Sequence, residues 1–391
     1  MRIGLMLRAL DEHGGVGVYT RYLTEELLSI DRRNEYVLLY RSGGNLGRFG
    51  HHPNVTERVV RAPGKALWDQ VAIPWHCWRE KIDVVFHPKF TVPFLAPCRT
   101  MMVLHGAGWF LTDFFGKWDV RYIRAVMPLY LRRADRVLSV SNVTTDTFNE
   151  IFDVPADRIH TVYFGPGKHF RRIDDPARLR AVRARYSLPD RFVLTLTKLG
   201  GDERKNFGGV LSAYRAAYPR IDHALVVGGK GCERLRDDYA IPADGWGGDV
   251  YFPGWIDQED LPAVYSLADA FLYPSKMEAF PIPITEALAT GTPIVTSSRN
   301  GLLELAGDAA LMVDADDAEE TAEALVRVLT DPELAARLRE AGLERSRRFS
   351  WEACGRTTLR HIEQVGAGVR RGRDEASQAR AGGMPEDRAG A

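Results

Sequence analysis

The stretch Tyr273 to Val295, YPSKMEAFPIPITEALATGTPIV, restricts what this chain can fold into more than any other segment. Ala270-Phe-Leu-Tyr273 is a short apolar run of strand character, Pro274-Ser275 opens a polar loop, and Pro283 suits the first turn of a helix, where its missing N–H is not needed. Gly291 supplies the stop signal of that helix. Thr292 to Thr296 is again β-branched and apolar, so the unit reads strand, loop, short helix, parallel strand. Glu278 then sits at the carboxyl end of a strand and Glu286 within the helix that follows. In an open parallel sheet that edge is where ligands bind, and the amino end of the helix favours an anion. Two carboxylates repel a phosphate, but each can accept two charge-assisted hydrogen bonds from neighbouring hydroxyls. A diphosphate flanked by hydroxyls on both sides satisfies both demands.

The chain has 391 residues, 45% hydrophobic and 27% charged, enough for two domains with separate cores. Lys plus Arg equals Asp plus Glu at 52 each. With no basic stripe carrying interleaved aromatics, nucleic acid is not an expected partner. Cys77, Cys98, Cys232 and Cys354 are far apart and form no CxxC pair, which argues against a zinc site or a disulfide framework. No apolar run approaches the ~20 residues of a membrane-spanning helix, and Met1 to Leu7 reads as a strand, not a signal peptide. The expected location is cytoplasmic, extending to peripheral attachment at the inner face of a membrane.

Strands are expected at Ile3–Leu7, Glu35–Tyr40, Asp83–Phe86, Met101–Leu104, Arg136–Val140 and Ile159–Val162. After an interdomain connection punctuated by Gly165-Pro166-Gly167 come Phe192–Thr197, Ala224–Val227, Val250–Phe252, Ala270–Tyr273, Pro293–Thr296 and Ala310–Val313. This alternation with helices specifies two doubly wound α/β domains. Gly14-Gly15-Val16-Gly17 follows the first strand and lets backbone N–H groups approach a ligand, without the spacing of a dinucleotide fingerprint. His105-Gly106 ends another strand at the ligand edge. Arg204-Lys205-Asn206 opens a helix on the same edge as Glu278, where its cations can stabilise a departing diphosphate. Two aromatic clusters, Trp68, Trp75 and Trp78, and Trp109, Phe110, Phe114, Phe115 and Trp118, are either inter-helix packing or an interaction surface. In the second case, beside Lys65, Arg79, Lys81 and Lys117, they would rest at a bilayer or grip a lipid-linked acceptor.

Glu278 and Glu286, with the glycine loop and Arg204-Lys205-Asn206, resemble the E-x7-E signature and accompanying motifs of the retaining glycosyltransferases of family 4, the group 1 glycosyltransferases. The resemblance covers about residues 1 to 365 and implies the GT-B fold, two Rossmann-like domains facing across a cleft. The expected division is an acceptor-binding domain at 1–168, a nucleotide-sugar-binding domain at 169–349, a helix at 350–369 returning to the first domain, and a disordered tail at 370–391. It implies catalytic roles for Lys205 at the diphosphate and for Glu278 and His105 at the donor sugar. It further implies donor binding by Gly15, Gly17, Lys198, Arg204, Trp255, Phe280 and Ile282, with Glu286 on the ribose. Asp314-Ala315-Asp316 looks like the D-x-D of metal-dependent GT-A enzymes but lies after a final strand, where family-4 chains carry a structural Val-Asp. The implied reaction therefore moves a hexosyl group, mannosyl or glucosyl, from a UDP- or GDP-linked sugar to a glycan or lipid-linked glycan, without metal or other cofactor. The chain departs from the family at Gly106, often Asp, at Phe164-Gly165-Pro166-Gly167, usually Asn-Gly-Val-Asp, and at Ala279-Phe280-Pro281, commonly Gly-Phe-Gly. A GT-B-fold sugar-nucleotide epimerase and a non-catalytic nucleotide-sugar-binding protein are the alternatives.

Overall fold

The computed structural model describes residues 1–12, 14–111, 116–155, 157–197, 203–242 and 250–381, with the side chains of 117, 119 and 368–381 outside the description. Two all-parallel sheets organise it. The first contains β1 (Arg2–Met6), β2 (Glu35–Tyr40), β3 (Val55–Val59), β4 (Val84–His87), β5 (Arg99–Leu104), β6 (Arg136–Ser139) and β7 (Ile159–Thr161), in the spatial order β3-β2-β1-β4-β5-β6-β7. The second contains β8 (Phe192–Leu196), β9 (Ala224–Gly228), β10 (Val250–Gly254), β11 (Ala270–Tyr273), β12 (Ile294–Ser297) and β13 (Ala310–Val313), in the order β10-β9-β8-β11-β12-β13. Central strands such as Leu225-Val226-Val227 and Ala270-Phe-Leu-Tyr273 are buried throughout, as strands covered by helices on both faces must be.

Strand order reverses between β1 and β4 in the first sheet and between β8 and β11 in the second. At such switch points the loops beyond the carboxyl ends diverge and leave a crevice. His105 follows β5 near the first switch point; Lys205 and Glu278 follow β8 and β11 and flank the second.

Seven helices matter for this edge, four in the first domain and three in the second. α1 (Gly15–Ile30) follows β1, and residues 64–79 run on as one helical stretch, α2, with a π-helical middle at Trp68–Ala72. α3 (Lys117–Arg133) and α4 (Asn142–Phe152) flank β6, and the amino end of α4 is capped by Ser141, which accepts from the Thr144 N–H. In the second domain α5 (Phe207–Ala217), α6 (Ile282–Thr290) and α7 (Gly301–Ala306) follow β8, β11 and β12.

The last helix, α8 (Trp351–Ala381), crosses back to the first domain. Trp351, Cys354, Thr358, Ile362 and Val365 form its buried stripe, set at helical spacing. Trp351 packs against Tyr19 and Tyr22 of α1, with ring centres 5.6 and 5.2 Å apart, and against Phe164 of the interdomain connection at 4.9 Å. Gly165 is needed in that connection because a Cβ there would press on the backbone of Phe349 and Ser350.

Two features depart from the sequence expectations. β3 was not foreseen: Thr56-Glu57-Arg58 is polar and only half-buried, as an edge strand tolerates. The last helix does not stop at 369 but continues to Ala381, through a segment rich in the helix formers Ala, Arg, Glu and Gln.

Candidate active site

The basic turn Glu203–Lys205 is joined to α5 by Asn206, which adopts a left-handed backbone with φ 56°. The Asn206 side chain turns to the protein's own backbone. Its Nδ2 donates to the carbonyls of Pro274 (3.0 Å) and Ala315 (2.6 Å), tying the turn to the loops after β11 and β13. The Arg204 carbonyl accepts from the Lys276 N–H (2.8 Å) and from Ser275 Oγ (2.7 Å). Backbone bonds thus lock the two loops together before any side chain meets.

On this frame, Arg204 and Lys205 converge on Glu278. Lys205 Nζ donates to Glu278 Oε1 at 2.5 Å and also to Tyr273 Oη, lying 4.9 Å from the centre of the Tyr273 ring. Tyr273 Oη and Ser275 Oγ donate to the same carboxylate oxygen at 3.0 and 3.3 Å, and Arg204 reaches Oε2 at 3.4 Å. Burial pushes the Glu278 carboxyl up, but Lys205 and Arg204 outweigh it and hold the group below the usual carboxylate range. A buried, ionised acid therefore stands between two cations. Its carbonyl accepts from the Gly301 N–H (2.9 Å), and a side chain at Gly301 would collide with the Ala279 carbonyl.

Glu286, one turn into α6, is buried with a different balance. Its described polar contact is Tyr265 Oη, which donates to Oε2 at 3.1 Å. Burial raises its carboxyl to about 7, partly offset by that hydrogen bond. Across the cleft, Tyr22 of α1 lies near enough for the Glu286 charge to raise its own pKa, after burial, which is the larger cause.

His105 faces this constellation from the first domain. Its Nε2–H donates to the Pro88 carbonyl at 2.9 Å, which fixes the neutral tautomer. Burial drives its pKa down to about 4. The edge of Tyr19 packs on the ring at 4.7 Å. Gly106, with φ 140°, touches the second domain directly: a Cβ there would lie 2.9 Å from Ala279 Cβ. His105-Gly106 and Glu278-Ala279 are therefore neighbours across the cleft. The larger residue at 279 and the smaller one at 106 are complementary departures from the family pattern.

The other expected donor residues are placed as follows. Gly15 is the first residue of α1, and Gly17 packs so closely on the Glu12 carbonyl that a Cβ would collide with it. Ile282 is the first residue of α6. Phe280 turns its ring inward between Phe164 (4.1 Å) and Phe349 (5.8 Å). Trp255, just beyond β10, is 56% exposed. Lys198 lies outside the described residues. Asp314 and Asp316 are both bound by Arg299, at 2.7 and 2.6 Å, and Asp316 also by Lys276 at 2.8 Å. The D-x-D pair is already neutralised. Among the described residues no group of His, Cys, Asp and Glu side chains is arranged to hold a metal.

Two family models match the chain: Glycosyltransferase Family 4 over residues 13–165 and Glycosyl transferases group 1 over residues 187–345. They cover every strand except β1, together with His105, Arg204, Lys205, Glu278 and Glu286. The chain belongs to the group 1, family-4 glycosyltransferases. This glycosyltransferase is 29% identical over 293 residues to the O-antigen chain mannosyltransferase B of Escherichia coli, spanning 72% of this chain and 74% of that one. Its fold is similar to that of sucrose-phosphate synthase from Thermosynechococcus elongatus, with a TM-score of 0.75, 22% identity, and 94% and 100% of the two chains covered. It is also similar to HepE of Anabaena, solved with UDP and glucose: TM-score 0.74, 17% identity, 93% and 100% covered. The architecture is GT-B.

Tyr273, Tyr265 and Glu304 were not singled out from the sequence. Tyr273 was read as a strand residue, yet it is the last of β11, where a side chain points out of the sheet edge. Glu304 lies in α7, directly behind Glu278, and reaches across to the first domain. Its carboxylate accepts from the N–H groups of Asn142 (2.7 Å) and Val143 (3.1 Å) at the amino end of α4, and from Tyr163 Oη (2.6 Å). No sequence signal could have shown this, because the partners are long-range.

Proposed function

We propose that this glycosyltransferase moves a hexosyl group, with mannosyl favoured, from a UDP- or GDP-linked sugar to a glycan or lipid-linked glycan, with retention and without a metal. The observation that carries this reading is the convergence of Lys205 and Arg204 on the buried Glu278 beside the first turn of α6, opposite His105. The mannosyl preference is supported by the likeness to the O-antigen chain mannosyltransferase. The nucleotide-sugar donor is supported by the likeness to HepE, solved with UDP and glucose.

In this mechanism the donor's diphosphate lies at Lys205 and Arg204. When it enters, the lysine shifts part of its charge from Glu278 to phosphate, freeing the carboxylate to accept hydroxyl hydrogens of the sugar. Glu286, ionised in the complex, accepts those of the ribose. As the bond from the anomeric carbon to the phosphate oxygen breaks, negative charge grows on the diphosphate, where preorganised cations stabilise it. The acceptor oxygen attacks from the same face, and its proton passes to the departing phosphate. His105, neutral and held by Pro88, contributes a polar contact to the sugar and no charge.

The neutralised Asp314 and Asp316 support metal independence, since the nearby acids already have cations. The test is a thermal-shift panel of UDP- and GDP-sugars, because a ligand bound only by the folded state raises the melting temperature. It is followed by turnover in EDTA and NMR of the product's anomeric configuration. We expect stabilisation by one base, full turnover in EDTA and retained configuration. Inversion, or activity restored only by added manganese or magnesium, overturns the corresponding part.

A further inference from the structure

Nine of the fifteen large hydrophobic residues exposed among the described residues lie between Leu67 and Leu129. On α2, Leu67, Val71, Trp75 and Trp78 recur at i, i+4, i+8 and i+11, one stripe of a helix turned outward. On α3, Trp118 and Tyr122 do the same, Trp118 being 81% exposed. These stripes belong to one face, because the 92–96 loop is clamped between the two helices. From the α2 side, the Gln70 side chain donates to the Val92 carbonyl (3.0 Å) and accepts from the Phe94 N–H (2.9 Å). From the α3 side, Arg133 donates to the carbonyls of Phe94 and Ala96, both at 2.9 Å, and Phe94 stacks on Tyr130. Held this way, Leu95 projects between the helices at 79% exposure.

Among the described side chains, the charge that this face exposes has one sign. Asp69 of α2 is buried and consumed by Arg8, and Glu80 just after it is buried and consumed by Arg58. What α2, its flank and α3 turn to solvent, among the described side chains, is Lys65, Arg79, Lys81, Arg121, Arg124 and Arg132. Arg79 lies over the Trp75 ring at 5.1 Å and Arg121 over Trp118 at 5.9 Å. In a chain with 52 basic and 52 acidic residues, a face with apolar stripes whose exposed charges, among the described side chains, are all cationic is a local bias. Aromatic and aliphatic side chains fenced by Arg and Lys suit the boundary of a bilayer whose headgroups are negative.

We propose that the face formed by α2, the 92–96 loop and α3 docks on an anionic lipid surface. This deepens the reading of a lipid-linked acceptor and rests on it for its purpose, but not for its chemistry. The geometry also orients the molecule. Lys65, in the first turn of α2, lies 3.6 Å from Glu12, which is bound by Lys89 next to Pro88, the residue that holds His105. Docking by this face sets the mouth of the cleft beside the membrane, within reach of a head carried by a lipid.

The test is flotation of the full chain, without donor or acceptor, on vesicles of phosphatidylcholine alone and of phosphatidylcholine with phosphatidylglycerol. Binding to the mixed vesicles only is expected, weakening as salt is raised. The pair Trp75→Ser and Trp118→Ser, and separately the pair Arg121→Glu and Arg124→Glu, should each lower partitioning by about tenfold. Leu95→Asp, in a loop, provides a third probe if a helical variant fails to fold. Equal binding to both vesicles, no binding, or binding unchanged in all variants overturns the proposal, as does a dimer that the tryptophan pair converts to monomer. Donor binding and donor hydrolysis in vesicle-free solution should be unchanged in these variants. Their failure in the wild-type protein would instead sink the glycosyl-transfer reading.

Discussion

Replacing Lys205 by alanine removes a cation expected to stabilise the leaving diphosphate and the larger of the two that keep Glu278 ionised. Only interactions stronger in the transition state than in the ground state lower a barrier. Loss of one preorganised stabiliser typically costs about 10²–10³ in rate. We therefore expect kcat of Lys205→Ala to fall by about that factor and donor affinity by much less, measured by steady-state kinetics with circular dichroism as the folding control. A rate within a few-fold of wild type would leave the leaving-group role without support. Glu286 behaves oppositely, because its carboxyl is raised from 4.5 to about 7. The folded protein holds that proton more tightly than the unfolded chain, so the group's contribution to stability is fully present below pH 4.5 and is lost as pH rises through about 7. Glu286→Gln cannot ionise and should unfold at higher urea above pH 7, by up to about 3 kcal/mol. The same change should weaken nucleotide binding by about 1.5–3 kcal/mol, the worth of a charge-assisted bond. In the wild type, affinity should rise as pH passes through 7 and in the variant stay flat, read by titration calorimetry. A variant both less stable and unaltered in affinity contradicts this account. His105, near pKa 4, should add no pH dependence in the same range.

At the scale of elements, the site is two loops fastened by a third. Asn206 supplies both the left-handed backbone and the bonds to Pro274 and Ala315, and two substitutions separate these functions. Asn206→Gly keeps the backbone and loses the bonds; Asn206→Ala also incurs the left-handed strain of about 1–2 kcal/mol. Alanine should therefore unfold more easily than glycine in urea, while both lose donor affinity to a similar degree. Equal stability of the two would mean that the turn relaxes into another conformation. This element also marks how far sequence could be read. Arg204-Lys205-Asn206 could be placed at a strand's carboxyl end because strand and helix periodicities are local. The inward role of Asn206 could not, since its partners lie 68 and 109 residues away. The central strands were legible as continuous apolar runs, whereas β3, with Thr56-Glu57-Arg58 on a half-covered edge, carried no such run. The donor contact at Phe280 was implied by the family resemblance; the packing of its ring between Phe164 and Phe349 is long-range and had no local signal.

At the scale of the whole molecule, the domains meet through Glu304. An acid at a helix amino end satisfies otherwise unpaired N–H groups and complements the helix dipole. Here the acid comes from one domain and the helix from the other. Because α7 also holds the Glu278 carbonyl through Gly301, this contact couples closure to the site. We expect Glu304→Ala to lose about 1–2 kcal/mol of closure, the usual worth of a cap. It should increase the radius of gyration in small-angle scattering and raise KM for the donor, leaving kcat less affected. An unchanged scattering profile together with an unchanged KM would show that the latch does not govern closure. Another tie between the halves is α8, and it bears on how the molecule comes into being. Tyr19 and Tyr22 on α1 are made before the second sheet, while Trp351, Cys354 and Ile362, which cover that region, are made after it. In topological terms the second sheet is an insert lodged within the first domain. On the ribosome the order of birth is therefore reversed in completion: the half begun second can close its core while the half begun first still waits, one flank bare, for α8 to emerge.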